Sequence, residues 1–471
     1  MMGRKNKKEP KLFYHSLNIE QRVPQDHALR KIAAAVDFSF IRREVEHLYG
    51  VKGNESVDPT VILKLMFLLF YENVKSERAL MSQLSYRLDW LWFCGYDFDD
   101  IIPNHSVMSK ARNRWGVEVF HKFFNNILQQ CIKSGLVGGE IIHLDSSLID
   151  ANASKDSLET NLQIITEEVC RKFDEEPKSQ TKRISPVDPD ARLTKKYNKT
   201  VLGYKDHRCV DDEHGIITAT ITTAANKVDG DMLESLVQEH QENTGSNPSK
   251  SVADKAYGTG SNYSYLRENH ITPCISHKKK NCNCDPEFSN DKFTYNKERD
   301  VFICPAGNEL AFRQRNKKEE RIIYQADRNV CKNCPYAGKC LSGKKSGRQV
   351  QRSFYEEDIK YADNAVSVYE RKKLMARRKH CVEGSFADAT NNHHFKRAHW
   401  RGIEKVKIQN LLVASIQNLR KLLSAIPKRS KKAGEMASFF GFMKFTRRFL
   451  RKNRICRVHG NYGTAKSAKV A

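Results

Sequence analysis

Three acidic residues stand where an acid can do chemistry. The run Ile-Ile-His-Leu-Asp reads as a buried strand closing at Asp145, and Ser-Val-Ala-Asp closes a second at Asp254. Much later, Glu383 lies in a basic, helix-like segment that also holds Arg378. Two strand-end aspartates and a helical glutamate form an oxygen-only ligand set of the kind Mg²⁺ or Mn²⁺ takes. A pair of such ions can clamp the attacking and leaving oxygens of a phosphodiester. The chain carries 81 Lys and Arg against 56 Asp and Glu, a net charge of +25. The polyanion implied by that imbalance is nucleic acid. A strand-ending aspartate alone is more often a turn or capping residue. The weight comes from the surrounding words: Asp145 to Asn152, Asp254-Lys-Ala-Tyr-Gly258, and Val382-Glu-Gly-Ser-Phe-Ala-Asp-Ala389.

The elements that must position these acids can be read from pattern. At 471 residues the chain is long enough for several cores. Residues 1–24 are basic and polar and read as disordered. Residues 25–135 read as helical: Asp58-Pro59-Thr60 is a cap followed by proline at the first helical position, opening a run apolar on most sides. Short helices come next. The last begins after Pro103-Asn104-His105-Ser106 and carries Lys110, Arg112 and Arg114, which suggests a helix-turn-helix-like DNA-binding region. Residues two apart on a helix diverge by about 200°, so Lys110 and Arg114 are the pair expected to face DNA. Arg112 is expected to pair with an acid inside the domain.

Residues 136–267 read as a first part of an RNase H-like α/β core. The strand at Asp145 comes first, then a helix and loop over 155–200, then a hairpin of Gly203–Val210 with Ile216–Thr222. A helix near 229–243 and the strand at Asp254 complete it. Residues 268–345 break this pattern with cysteines and turns, residues 346–426 form a helical second part ending in a docked helix, and 427–471 form a basic tail. The fold class expected is therefore multidomain α plus α/β. There is no apolar run of about 18 residues and no signal-peptide pattern, so a cytoplasmic, nucleoid-associated protein without membrane contact is expected.

Of the 13 cysteines, six fall between Cys282 and Cys340. Clustered cysteines in a large cytosolic chain point to metal before disulfides. Cys331-x₂-Cys334-x₅-Cys340, with Cys304 upstream in Cys-Pro-Ala-Gly, supplies four thiolates for a structural Zn²⁺. The pair Cys282-x-Cys284 is read as accessory to it. His143 reads as a packed histidine.

With these residues in view, the sequence resembles the DDE transposases of bacterial insertion sequences, most closely the group whose founding element is numbered eleven eighty-two. The resemblance runs through Asn104-His105-Ser106, Leu144-Asp145, Gly203-Tyr204-Lys205, Ala253 to Gly258, Cys304-Pro-Ala-Gly307, the later cysteines, Glu383 to Ala389 and Arg401-Gly402. It implies that Asp145, Asp254 and Glu383 hold two Mg²⁺ (or Mn²⁺) ions, with a domain inserted between the second and third acids. It also implies cleavage of double-stranded DNA at element ends and strand transfer into target DNA, by a dimer or higher synaptic complex. The family's phosphate-binding Arg before the glutamate is matched by Arg378. Its Lys seven residues after is replaced by Thr390, a loss of about 1–3 kcal/mol of phosphate contact that Lys396 or Arg397 can offset from the next turns. Two other readings are a DNA-binding derivative that has lost catalysis and a nuclease without strand transfer.

Overall fold

In the computed structural model, residues 18–50, 56–98, 100–164, 179–196, 198–277, 285–317, 319–341 and 346–425 are described. The expected basic tail from 427, the segment 1–17 and the Cys282/Cys284 pair lie outside them.

The first long helix, α1 (Pro59–Tyr71), starts where its cap requires: the Asp58 side chain accepts from the Thr60 amide at 2.9 Å and Pro59 needs no donor. Every residue from Leu65 to Phe70 is buried, so α1 is surrounded on most sides. Phe38 packs edge-on against Phe67 and Phe93 beside it. The helices α2 (Glu77–Leu84), α3 (Ser106–Trp115) and α4 (Glu118–Lys133) complete this region. Its contacts reach far along the chain. His393 Nδ1 lies 2.8 Å from the Phe70 carbonyl, Trp400 donates to Glu77 at 3.1 Å, and Gln129 donates to the Asn243 carbonyl at 2.8 Å. The helical region thus shares a core with the sheet and helices later in the chain.

The main sheet has six strands: Arg192–Lys196, paired with the second of the others, and the five that set its order, β1 (Ile141–Asp150), β2 (Lys199–Asp211), β3 (Ile217–Ala224), β4 (Lys250–Ala253) and β5 (Thr272–Ile275). Their order is β3-β2-β1-β4-β5. β2 runs antiparallel to both β1 and β3, while β4 and β5 run parallel to β1. One face packs Ile142, Leu144, Cys209 and Ala219 against α5 (Leu233–Thr244) and α6 (Gly260–Glu268). The other face receives α9 (Val368–Arg378), its continuation to Asn392, and α10 (Ile403–Ala425). The α10 face is unusually polar: Asn418 bonds both backbone groups of Ile217, and Asn410 donates to Thr222.

Three expectations are corrected. Asp145 does not close a strand, because β1 continues to Asp150 beside β2; what ends at this level is the parallel pairing with β4. The stretch read as a helix within 155–200 contains paired strands, Glu159–Ile164 with Ser179–Ile184, and a strand Arg192–Lys196 on β2. The period-two placement of Thr160, Leu162 and Ile164 is the signal that was outweighed by polarity. The insertion begins later than 268, since β5 belongs to the main sheet, and runs past 345. It is a meander of β6 (Thr294–Asn296), β7 (Val301–Ile303), β8 (Glu309–Asn316), β9 (Arg321–Ala326) and β10 (Gln349–Ser353). Phe293, Phe302, Leu310, Tyr324 and Val350 form its own small core. Among the described residues no helix is long and apolar enough to cross a membrane.

Candidate active site

The strand register brings the first two acids together. β1 and β4 pair in parallel from Ile141 with Lys250 to Leu144 with Ala253. The next residue on each strand is Asp145 and Asp254. Neighbouring strands lie about 4.8 Å apart, so the two carboxylates leave the sheet side by side. Asp254 also opens a tight turn, accepting from the Ala256 amide at 2.9 Å. Gly258 ends that turn at a crowded point: a Cβ there would meet the Ser276 carbonyl and the Tyr263 hydroxyl, each at 2.8 Å.

Asp145 is mostly buried, and burial pushes its carboxyl above the usual carboxylate range, against the pull of the Arg378 guanidinium; the charge of Asp254 adds to the upward push. Arg378 donates from Nη1 to Asp145 Oδ2 at 2.7 Å. This arginine sits at the last α-helical position before a π-helical turn, Lys379–Glu383. In a regular helix residues five apart are about 140° out of phase. A turn bonded i to i+5 brings them back toward one face. The π-turn shifts the phase between Arg378 and Glu383, but Asp145, Asp254 and Glu383 are not among the described groups whose ligand atoms all lie within 4.8 Å of one another. Glu383 is exposed.

Two networks, one half-buried and one buried, fix this helix. His143, two residues before Asp145 on the same strand face, bonds Asp212 Oδ1 through Nε2 at 2.7 Å. Arg377 donates to the same oxygen at 3.0 Å and to the Asp212 carbonyl at 2.6 Å, and the Cys381 thiol points at that carbonyl. Burial lowers the His143 pKa, opposed by Asp212. His143, Asp212 and Cys381 place ligand atoms within 4.8 Å of one another. Arg377 already supplies the positive charge there, so the group is a tether and not a metal centre. The second network centres on Arg208, fully buried and directly opposite Asp145 on β2. It donates to Asp206 at 2.7 Å, and to Ser385 and Gln417 at 2.8 Å each. Gln417 in turn donates to the Ser385 carbonyl and to Asp388.

Sequence reasoning missed Asp212, Arg208 and Gln417 and undervalued His143. A signal existed: Lys205-Asp206-His207-Arg208 alternates charge on both faces of a strand flanked by apolar residues. Charges in a buried strand must find partners.

The other expected residues divide between the site and its supports. Thr390 does not face outward; its hydroxyl donates to the Phe386 carbonyl at 2.7 Å, one turn back. Lys396 Nζ donates to Ser147 Oγ at 2.7 Å. Ser147 lies two residues beyond Asp145 on the same strand face, about 7 Å along. Arg397 is exposed, and its backbone bridges to Asp150 at the end of β1. On α3, Lys110 and Arg114 are exposed, with Arg114 over the Tyr49 ring at 4.5 Å. Arg112 is buried, paired with Glu77 and stacked 3.8 Å from the Trp400 centroid. Cys304, Cys331, Cys334 and Cys340 together line one small cavity in the insertion.

The donor set at Asp145, Asp254 and Glu383 is oxygen only, with one buried cation beside it, and suits Mg²⁺ or Mn²⁺ over a thiolate-seeking metal.

Residues 17–114 match the family described as a transposase domain (DUF772), and residues 303–423 match the family described as a transposase DDE domain. The second match contains Arg378, Glu383, Lys396 and the four cysteines; Asp145 and Asp254 precede it. No curated protein matches the chain.

Proposed function

We propose, for a chain that its two matches assign to the DDE transposases of insertion-sequence type, that it cuts double-stranded DNA at element ends and joins the ends to target DNA. The main sheet is then an RNase H-like core, a reading supported by its order and directions: three antiparallel strands followed by two parallel ones. The observation that carries the catalytic assignment is the parallel register setting Asp145 beside Asp254.

In this reading Asp145 and Asp254 hold the metal pair from the sheet and Glu383 closes it from the helix. When bound, the ions activate the attacking oxygen and stabilise the leaving one. Arg378 offsets the charge of Asp145, which its burial otherwise drives toward the neutral acid. Lys396, along the same face, meets the DNA phosphate in place of the lysine that Thr390 replaces. Exposed Lys110 and Arg114 contact the element ends. Synapsis of two ends calls for at least two copies of the chain.

The test is a supercoiled plasmid carrying the element ends, incubated with the protein and Mg²⁺ or Mn²⁺. Cleavage at the ends and joined products are expected. Nicking without dependence on ends would indicate a nuclease without strand transfer. End binding without cleavage would indicate a derivative that has lost catalysis, the reading that Thr390 favours.

A further inference from the structure

The insertion contains a segment whose packing does not account for its order. After β9 the chain forms two five-residue helices, α7 (Arg328–Lys332) and α8 (Ala337–Leu341), and neither buries a single residue of its own. Helices this short are unstable without tertiary support. The Asp327 side chain caps α7, but a cap contributes only about 1 kcal/mol. The apolar packing that holds the segment to the sheet is slight: Cys331 and Cys340 at the edge of the insertion's core, and Tyr336 against Phe288 at 5.4 Å.

The groups that face one another across the join are thiols. Cys304 comes from the turn between β7 and β8, Cys331 from α7, Cys334 from the turn after it, and Cys340 from α8. All four line the same cavity of about 20 Å³, with Asn308 and Arg348 among its other walls. Two of the sulfurs already accept backbone hydrogen bonds, Cys304 from the Asn308 amide at 3.3 Å and Cys331 from the Arg348 amide at 3.4 Å. Amides aimed at sulfur stabilise thiolates and orient them, as outer partners do at metal sites. The Cys304 turn is itself tight: Gly307, at φ +81°, returns its amide to the Cys304 carbonyl at 2.8 Å. Arg348 donates to the carbonyls of Cys340 and Phe288, placing a guanidinium beside the cluster. That cation offsets the net negative charge that four thiolates leave around a divalent ion.

We infer that Cys304, Cys331, Cys334 and Cys340 bind one structural Zn²⁺, which clamps the two short helices onto the end of the β7–β8 turn. Four sulfurs and no open position suit zinc in a closed tetrahedral site. The four sulfurs are not among the groups whose ligand atoms all lie within 4.8 Å. Ligation therefore draws them together, to about 2.3 Å from the ion, and the small cavity between them is the space they close on. The site is separate from the oxygen-ligand centre and stabilises the insertion without entering the reaction.

The experiment uses the full chain purified under reducing conditions. Elemental analysis is expected to give about one zinc per chain, lost in Cys331→Ser/Cys334→Ser and retained in Asp145→Asn/Asp254→Asn. The last variant separates this proposal from the catalytic one, since either can fail alone. A folding defect in the cysteine variant is circumvented by the native chain: alkylation should spare Cys304, Cys331, Cys334 and Cys340 until a strong chelator is added, then reach all four. Absence of zinc, iron in its place, zinc unchanged in the double cysteine variant, or equal alkylation with and without chelator would each overturn the proposal.

Discussion

Arg378 and Asp145 lie 233 residues apart and meet at 2.7 Å. The pair joins the sheet to the helix that carries Glu383, so it sets both the charge of one acid and the placement of another. Replacing Arg378 by Ala leaves Asp145 buried without its counter-charge. The pair is only partly exposed, and its loss should cost about 1–3 kcal/mol of stability. Mg²⁺ should then stabilise the variant more than the parent, because a divalent cation replaces the missing charge. Thermal unfolding with and without Mg²⁺ measures this. An equal metal-induced shift in both proteins would show that Arg378 and the ion do not share Asp145.

In the proposed site, Asp145→Asn removes a metal ligand but no phosphate contact. Cleavage of end-bearing plasmid should fall by at least about a hundredfold, as expected when several kcal/mol of metal-based stabilisation is lost. Affinity for element ends should stay within about twofold. Loss of DNA binding in step with cleavage would speak against the assigned role.

The two acids on the sheet were legible because strand periodicity and local wording are short-range properties. Glu383 is a different case: it ends a π-turn that no spacing rule announces. The partners of Asp212 and Arg208 were illegible for another reason, although the charge alternation around Arg208 marked a buried strand in need of them. These partners, Arg377 and Ser385 among them, lie more than 160 residues away in sequence, and pairings of that range leave no periodic trace. The polar residues of α10 carried no such trace either: Gln417 and Asn418 gain their meaning only from Arg208 and Ile217 opposite them. The insertion's limits were misjudged because β5 is only four residues long and its role comes from pairing with β4.

Lys396 and Thr390 make opposite predictions. Lys396→Ala should weaken binding to DNA ends and reduce the slope of log affinity against log salt by about one counterion. Thr390→Ala should leave both unchanged, since its hydroxyl is spent on the Phe386 carbonyl. Fluorescence anisotropy across a salt series reads both. A larger effect at Thr390 than at Lys396 would reverse the assignment.

The α3 helix separates recognition from support. Double replacement of Lys110 and Arg114 by Ala should flatten the salt slope by about two counterions with little change in folding. Arg112→Ala should do the reverse. It leaves Glu77 without its counter-charge and uncovers the Trp400 ring, so the melting temperature should drop while the salt slope holds. If none of the three changes DNA binding, α3 is structural and the ends are read elsewhere.

His240 gives a pH test remote from the acids. It is fully buried, shares a hydrogen bond with Thr218 Oγ1 at 2.8 Å through Nδ1, and its Nε2 has no partner. Burial lowers its pKa from 6.5 to about 4. A depressed histidine favours the fold while neutral. Its contribution is therefore complete above the unfolded value and is lost as pH falls from about 6.5 toward 4. The full shift corresponds to up to about 3 kcal/mol. Other groups titrate in the same window, including His399, also lowered to about 4 by burial, so the difference between parent and variant is the quantity to read. His240→Gln keeps a polar side chain but cannot take up a proton. Urea unfolding of both proteins at neutral pH and near pH 5 should show the parent losing more stability than the variant on acidification. Equal losses would mean that His240 is already charged, or already hydrated, in the folded chain.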